Sequence, residues 1–289
     1  MPHRPFDDSN TRRSQPPITN RLLSRFLPPV LALTFVCAPW CMRSTNGQEL
    51  RISPETDPIL IDDIKGQNTA ISQSEPEHLP EAIAKWEKDV RQLETLDLSQ
   101  TPVADAILFV GSSSIRRWTS IATDMAPYRT IRRGYGGAKY SDVAHYARRL
   151  ITPHAYRALV LFVGNDVSGD EKDHTLDQVE GWVMEIIRHA REHRPQAPIL
   201  IVEVTVTPKR FDAWPKISTL NSRLREITLR EPNTHFVPTS ENFLNTDKSP
   251  RVELFVDDRL HLNESGYALW ASLIRRRLDE VFRLPGVGN

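Results

Sequence analysis

Three apolar runs of strand length, at residues 107–110, 158–163 and 198–206, most restrict what this chain can fold into. The first two have no polar face, so each must be covered on both sides, as the strands of a parallel sheet are. Helical spacing follows each run. Val143, Tyr146 and Leu150 lie on one helix face, Leu176, Val179, Val183 and Ile186 on the next, and Leu220, Leu224 and Ile227 on a third. Strand and helix in alternation predict a parallel sheet with helices on both faces.

The remaining elements follow from local signals. Ile83, Trp86, Val90 and Leu93 predict an amphipathic helix over 80–96, with Pro80 in its first turn. A helix is expected over 115–125, a short strand over 128–132, a helix capped by Ser141, a helix over 215–229, a last strand near 235–238, and a terminal helix capped by Asn263 and ending at Phe282. Residues 1–42 read as a signal or targeting segment: Arg12, Arg13, Arg21 and Arg25 precede a mostly apolar stretch at 26–38 that is too short for a membrane span. Residues 43–79, rich in Pro, Asp, Glu, Ser and Gln, read as a linker or arm, and 80–284 as a single folded domain.

Composition narrows the function classes. Lys plus Arg and Asp plus Glu number 37 each, so no overall field recommends a nucleic acid or an anionic membrane as partner. The only cysteines, Cys37 and Cys41, precede the folded domain, which excludes a disulfide scaffold or a thiolate nucleophile there. A thiol-free domain also suits an exported, periplasmic or extracellular protein. Nothing in the sequence sets an oligomeric state.

In parallel sheets the functional groups gather at the carboxyl ends of the strands. Four such ends carry chemistry here. The first run stops at Gly111 and meets Ser112, Ser113 and Ser114, placing a serine hydroxyl at a strand-to-helix turn. Gly134, Gly136 and Gly137 make a tight turn after the second strand. Asn165 and Asp166 follow the third, and Asp258 stands three residues before His261 near the end. A serine needs a base within reach. Histidine exchanges a proton near neutral pH, and a nearby carboxylate can hold its ring in one tautomer.

These four blocks, in this order, resemble the SGNH hydrolases, also called GDSL esterases and lipases, over residues 80–282. The resemblance implies a three-layer α/β/α sandwich with a flavodoxin-like sheet and a serine esterase activity. It implies Ser113 as nucleophile, Asp258 and His261 as its partners, and an oxyanion hole from the N–H groups of Ser113 and Gly137 with the Asn165 amide. No metal or cofactor is implied. The chain departs from the family in three places: Ser112 stands where Asp is usual, Arg132 where Asn is usual, and Val163 where Gly is usual. These touch the shape of the site more than its chemistry.

Two rival motifs fail. His189 and His193 match H-x-x-E-H, but no third ligand is evident and the face reads as solvated. Ile115 breaks the G-x-S-x-G elbow of the α/β-hydrolases. The expected substrate is a small-molecule or carbohydrate ester, O-acetylated carbohydrate first. A lysophospholipase or acyltransferase is the alternative within the class, and a non-catalytic glycan-binding module the alternative outside it. Trp118, Lys209, Arg210 and Trp214 are expected at the substrate rim.

Overall fold

The computed structural model describes residues 79–284, apart from the side chains of Leu79, Pro80, Ala82 and Ile83. Everything described lies within the unit Thr69–Asn289. The signal reading of 1–42 and most of the linker reading of 43–79 fall outside the described residues, as does the Ile83 side chain.

Five parallel strands form the sheet in the order β2-β1-β3-β4-β5: β1 Ala106–Gly111, β2 Thr130–Gly134, β3 Tyr156–Phe162, β4 Ile199–Val202 and β5 Thr234–Val237. This is the flavodoxin-like order. The apolar runs are continuous because successive residues feed two different cores. Leu108, Val110, Leu159, Leu161, Ile199 and Ile201 face one side, under α1 (Leu79–Ser99), α4 (Tyr140–Ile151), α5 (Leu176–His193) and α6 (Trp214–Arg230). Ile107, Phe109, Ala158, Val160, Leu200 and Val202 face the other, under α2 (Ser113–Arg117), α3 (Ile121–Asp124) and α7 (Glu264–Phe282).

Several boundaries differ from the sequence reading, each for a local reason. The second strand lies two residues later than 128–132 and runs to Gly134, because the Arg133 charge is met inside the protein by Asp97 on α1, with 5% and 15% of the two side chains exposed. The helix expected over 115–125 breaks into α2 and α3. At the break Trp118 turns inward and donates its Nε1–H to Asp124 at 2.7 Å, and Ser120 donates to the same carboxylate at 2.6 Å. Ser141 lies inside the first turn of α4, where the Asp142 carboxylate takes the Lys139 N–H at 2.8 Å, so Asp142 does the capping. The run at 198–206 is a strand only to Val202; beyond it the Asn221 side chain bonds both the N–H and the carbonyl of Val204, at 2.9 and 3.0 Å, in place of a neighbouring strand. Asn263 does cap α7, accepting from the Gly266 N–H at 3.0 Å. Among the described residues no helix is long and apolar enough to cross a membrane.

Candidate active site

Strand order reverses direction between β1 and β3, and crevices in open α/β sheets form at that reversal. The turn after β1 carries Ser113 and the turn after β3 carries Asn165. Gly111 makes the first turn possible: its φ is +157°, and a Cβ there would collide with the Phe162 carbonyl oxygen of the adjacent strand. Ser112 ties the same strand ends together, its N–H donating to that carbonyl at 3.1 Å. Ser113 thus opens α2, where the leading N–H groups have no acceptor within the helix.

The Asp258–His261 loop comes to this turn from the far end of the sequence. His261 Nε2 lies 2.9 Å from Ser113 Oγ, and His261 Nδ1 lies 2.7 Å from Asp258 Oδ2. The other Asp258 oxygen builds the loop itself, accepting the N–H groups of Leu260 and His261, each at 2.9 Å. Arg259 between them takes a left-handed φ of 56°, and its carbonyl is held by the Lys209 N–H at 3.0 Å. Partial burial would raise the Asp258 pKa, but the N–H of His261, its ring and the N–H of Leu260 outweigh it and hold the carboxyl at about 2. Arg117 stands 3.5 Å from the same carboxylate with both side chains nearly half exposed, a contact that water screens heavily.

Asn165 and Gly137 meet on the opposite side. The Asn165 amide donates from Nδ2 to the Ala138 carbonyl at 2.9 Å, and a Cβ on Gly137 would point toward that nitrogen, 4.0 Å away. Behind them Asp166, 1% exposed, accepts the Tyr140 N–H at 3.0 Å and the His174 ring nitrogen at 3.0 Å. Burial raises the Asp166 pKa, against the pull of His174 and the Tyr140 N–H. That carboxylate therefore joins the loop after β2 to the loop after β3, fixing the spacing between Gly137 and Asn165.

A cavity of about 30 Å³ opens beside Ser113, Asn165 and His261, walled by Phe162, Val204, Ile217 and Trp270. Trp270 is fully buried and is also a wall of this cavity. Of the four expected rim residues only Arg210 lines it. Trp118 is a correction: it is fully buried beneath α2, stacked on Tyr267 with ring centroids 5.4 Å apart, and cannot touch a substrate at the mouth. Lys209 is exposed but outside the cavity wall, and Trp214 packs its ring against the two cores. Sequence reasoning also missed Asp166 and His174 as the brace behind the site, although Asp166 stood beside Asn165 in the motif.

His189 is a further correction, being buried (7% exposed) where a solvated face was expected. Its ring lies 3.6 Å from Glu185, while the His193 ring meets the His154 carbonyl at 2.9 Å. Among the described residues no three His, Cys, Asp or Glu side chains are grouped to hold a metal ion.

A parallel sheet in this order, with chemistry gathered at the reversal, defines the α/β class found in solved GDSL hydrolases. A GDSL-like lipase from Bacteroides thetaiotaomicron superposes with a TM-score of 0.56 at 17% identity, covering 66% of this chain and 98% of that one. An acetyl xylan esterase from Geobacillus stearothermophilus does so with a TM-score of 0.51 at 16% identity, covering 61% and 95%. Platelet-activating factor acetylhydrolase IB subunit alpha1 from Pongo abelii is 24% identical over 173 residues, 56% of this chain and 70% of that protein. Residues 103–269 match the model of the GDSL-like lipase/acylhydrolase family. The chain belongs to that family, and is a carboxylic ester hydrolase.

Proposed function

We propose that the chain hydrolyses short-chain acyl esters, with O-acetyl groups on carbohydrate as the first substrate class, through a Ser113 acyl-enzyme. The observation that carries this reading is the unbroken relay from Ser113 Oγ to His261 Nε2 at 2.9 Å and from His261 Nδ1 to Asp258 Oδ2 at 2.7 Å. In this reading Ser113 Oγ attacks the ester carbonyl while His261 takes its proton, and Asp258 stabilises the imidazolium. The N–H groups of Ser113 and Gly137 and the free N–H of the Asn165 amide receive the oxyanion. Collapse expels the alcohol with the proton from His261. Water then repeats the sequence on the acyl-enzyme, releasing the carboxylic acid and restoring Ser113.

Cavity size supports a short acyl group. The cavity beside Ser113 is small and walled by Phe162, Val204, Ile217 and Trp270, an apolar seat that suits a short acyl group. Two relatives, the acetylhydrolase subunit and the acetyl xylan esterase, are named for acetyl esters. Export is part of the proposal and rests on the sequence of residues 1–42 alone.

The test is a chain-length series of p-nitrophenyl esters, followed by acetylated xylan, on the full chain and on Ser113→Ala. Acetate is expected to exceed octanoate in kcat/KM by at least about tenfold, the scale on which a closed apolar pocket discriminates added methylenes, with turnover absent in Ser113→Ala. A kcat/KM that climbs with chain length would overturn the acetyl assignment in favour of a lysophospholipase.

A further inference from the structure

Arg210 is a largely buried guanidinium in the short 3-10 turn Pro208–Ala213, and no carboxylate of the described residues lies within ion-pair distance of it. Burial lowers its pKa, partly offset by the more distant charges of Asp173 and Asp166. Its donors go instead to two neutral oxygens at the reaction crevice. One Nη bonds the Gly164 carbonyl, and the other bonds Asn165 Oδ1 at 2.9 Å.

A guanidinium has donors and no acceptor, so the Asn165 amide can only turn its oxygen toward it. The amide nitrogen must then face the other way, toward the Ala138 carbonyl and Gly137, where it is found. An NH₂ group has two hydrogens. Ala138 takes one, and the second is left for a ligand in the crevice. A charged donor on the amide oxygen also polarises the amide and strengthens the N–H at its far end, as bonds in a chain strengthen one another. The same turn holds the loop on the opposite wall, through Lys209 N–H to the Arg259 carbonyl at 3.0 Å.

We propose that Arg210 is a positioning residue for the esterase reaction: it fixes the orientation of the Asn165 amide and sharpens its free N–H as an oxyanion donor. The proposal rests on the reading of Asn165 given above. It replaces the expectation that Arg210 contacts substrate at the rim. A positioning role acts in the transition state and so appears in kcat, whereas a rim contact appears in KM.

The experiment measures kcat, KM and melting temperature on p-nitrophenyl acetate for the full chain and for Arg210→Met, Arg210→Lys, Asn165→Ala, the double variant Asn165→Ala with Arg210→Met, and Ser113→Ala. Arg210→Met is expected to lower kcat by roughly 10–100-fold, less than the loss of a whole donor, with KM within about threefold. Arg210→Lys, which keeps the charge and one donor, should recover part of that loss. In the Asn165→Ala background, Arg210→Met should cost less than about threefold more, since two residues acting through one group are not additive. If Arg210→Met is too unstable to assay, the same split and the same coupling are read from Arg210→Lys. A rise in KM with kcat unchanged, full additivity with Asn165→Ala, or wild-type turnover in Asn165→Ala would each overturn the positioning role. Failure of the underlying esterase mechanism is distinguishable, because there Ser113→Ala itself would keep its turnover.

Discussion

Asp258→Asn separates the two jobs that the structure gives to one carboxylate. Oδ1 accepts the N–H groups of Leu260 and His261, and an asparagine oxygen can do the same. Oδ2 accepts from His261 Nδ1 at 2.7 Å, and an NH₂ in that place cannot accept at all. The imidazole is then forced into the other tautomer, with its hydrogen on Nε2 facing Ser113 Oγ, and cannot take the serine proton. In a serine protease that error costs ~10⁴ in turnover. Asp258 is 42% exposed, so water can stand in for part of its role, and a loss of roughly 10³, ~4 kcal/mol of transition-state stabilisation, is expected here. Stability should change little: a pair this exposed contributes about 1 kcal/mol or less, a shift of about 2–4 °C in a chain of this size. Asp258→Ala forces neither tautomer and should lose no more turnover than the Asn variant, but should melt lower, because the two loop hydrogen bonds are lost as well, each worth about 1 kcal/mol. The assay is kcat on p-nitrophenyl acetate beside thermal melting. An Asn variant within tenfold of wild type would refute the tautomer reasoning.

Two further predictions rest on single contacts. Gly137→Ala should fold normally, since its new methyl meets only Asn165 Nδ2 at an ordinary 4.0 Å, yet crowd the position of the oxyanion; steady-state assays should show turnover lowered by at least about tenfold with the melt unchanged. His235 is held neutral by burial and by the charges of Arg277 and Arg191, which bring its pKa down to about 4. Its contribution to stability is complete above about pH 6.5 and is lost as pH falls toward 4, where the unfolded chain takes up a proton that the native ring refuses. Urea melts at pH 7 and pH 4.5 should therefore show His235→Gln losing less stability on acidification than wild type, by at most about 3 kcal/mol, and an equal loss in both would contradict the burial of that ring's neutral form.

What the sequence revealed of this fold depended on whether a signal was local. Residues 107–110 read as a strand because residues facing both cores are apolar, which a chain states openly. Ser113, Asn165 and the Asp258–His261 loop were visible because each stands where a strand or a capped helix begins or ends. A strand over 128–132 leaves Arg133 out because the carboxylate that admits it to the interior, Asp97, is 36 positions away in the sequence. Trp118 looked like a rim residue for a similar reason: an aromatic beside polar residues is ambiguous until Asp124 is seen to bond its indole from below. Arg210 shows the limit most clearly. Its residue type announced a contact with something, but the partner, the oxygen of an amide 45 residues earlier, exists only once the turn after β4 folds against the turn after β3.

The most direct measurement is intact mass and peptide mapping after treatment of the full chain with a fluorophosphonate, which phosphonylates only a serine activated by a base in place. The expected result is one adduct per chain, carried by Ser113, absent from Ser113→Ala and formed far more slowly in His261→Ala, with loss of esterase activity in proportion to labelling. An adduct on another residue, or full activity in a chain labelled at Ser113, would contradict the assignment of Ser113 and His261 as the reacting pair.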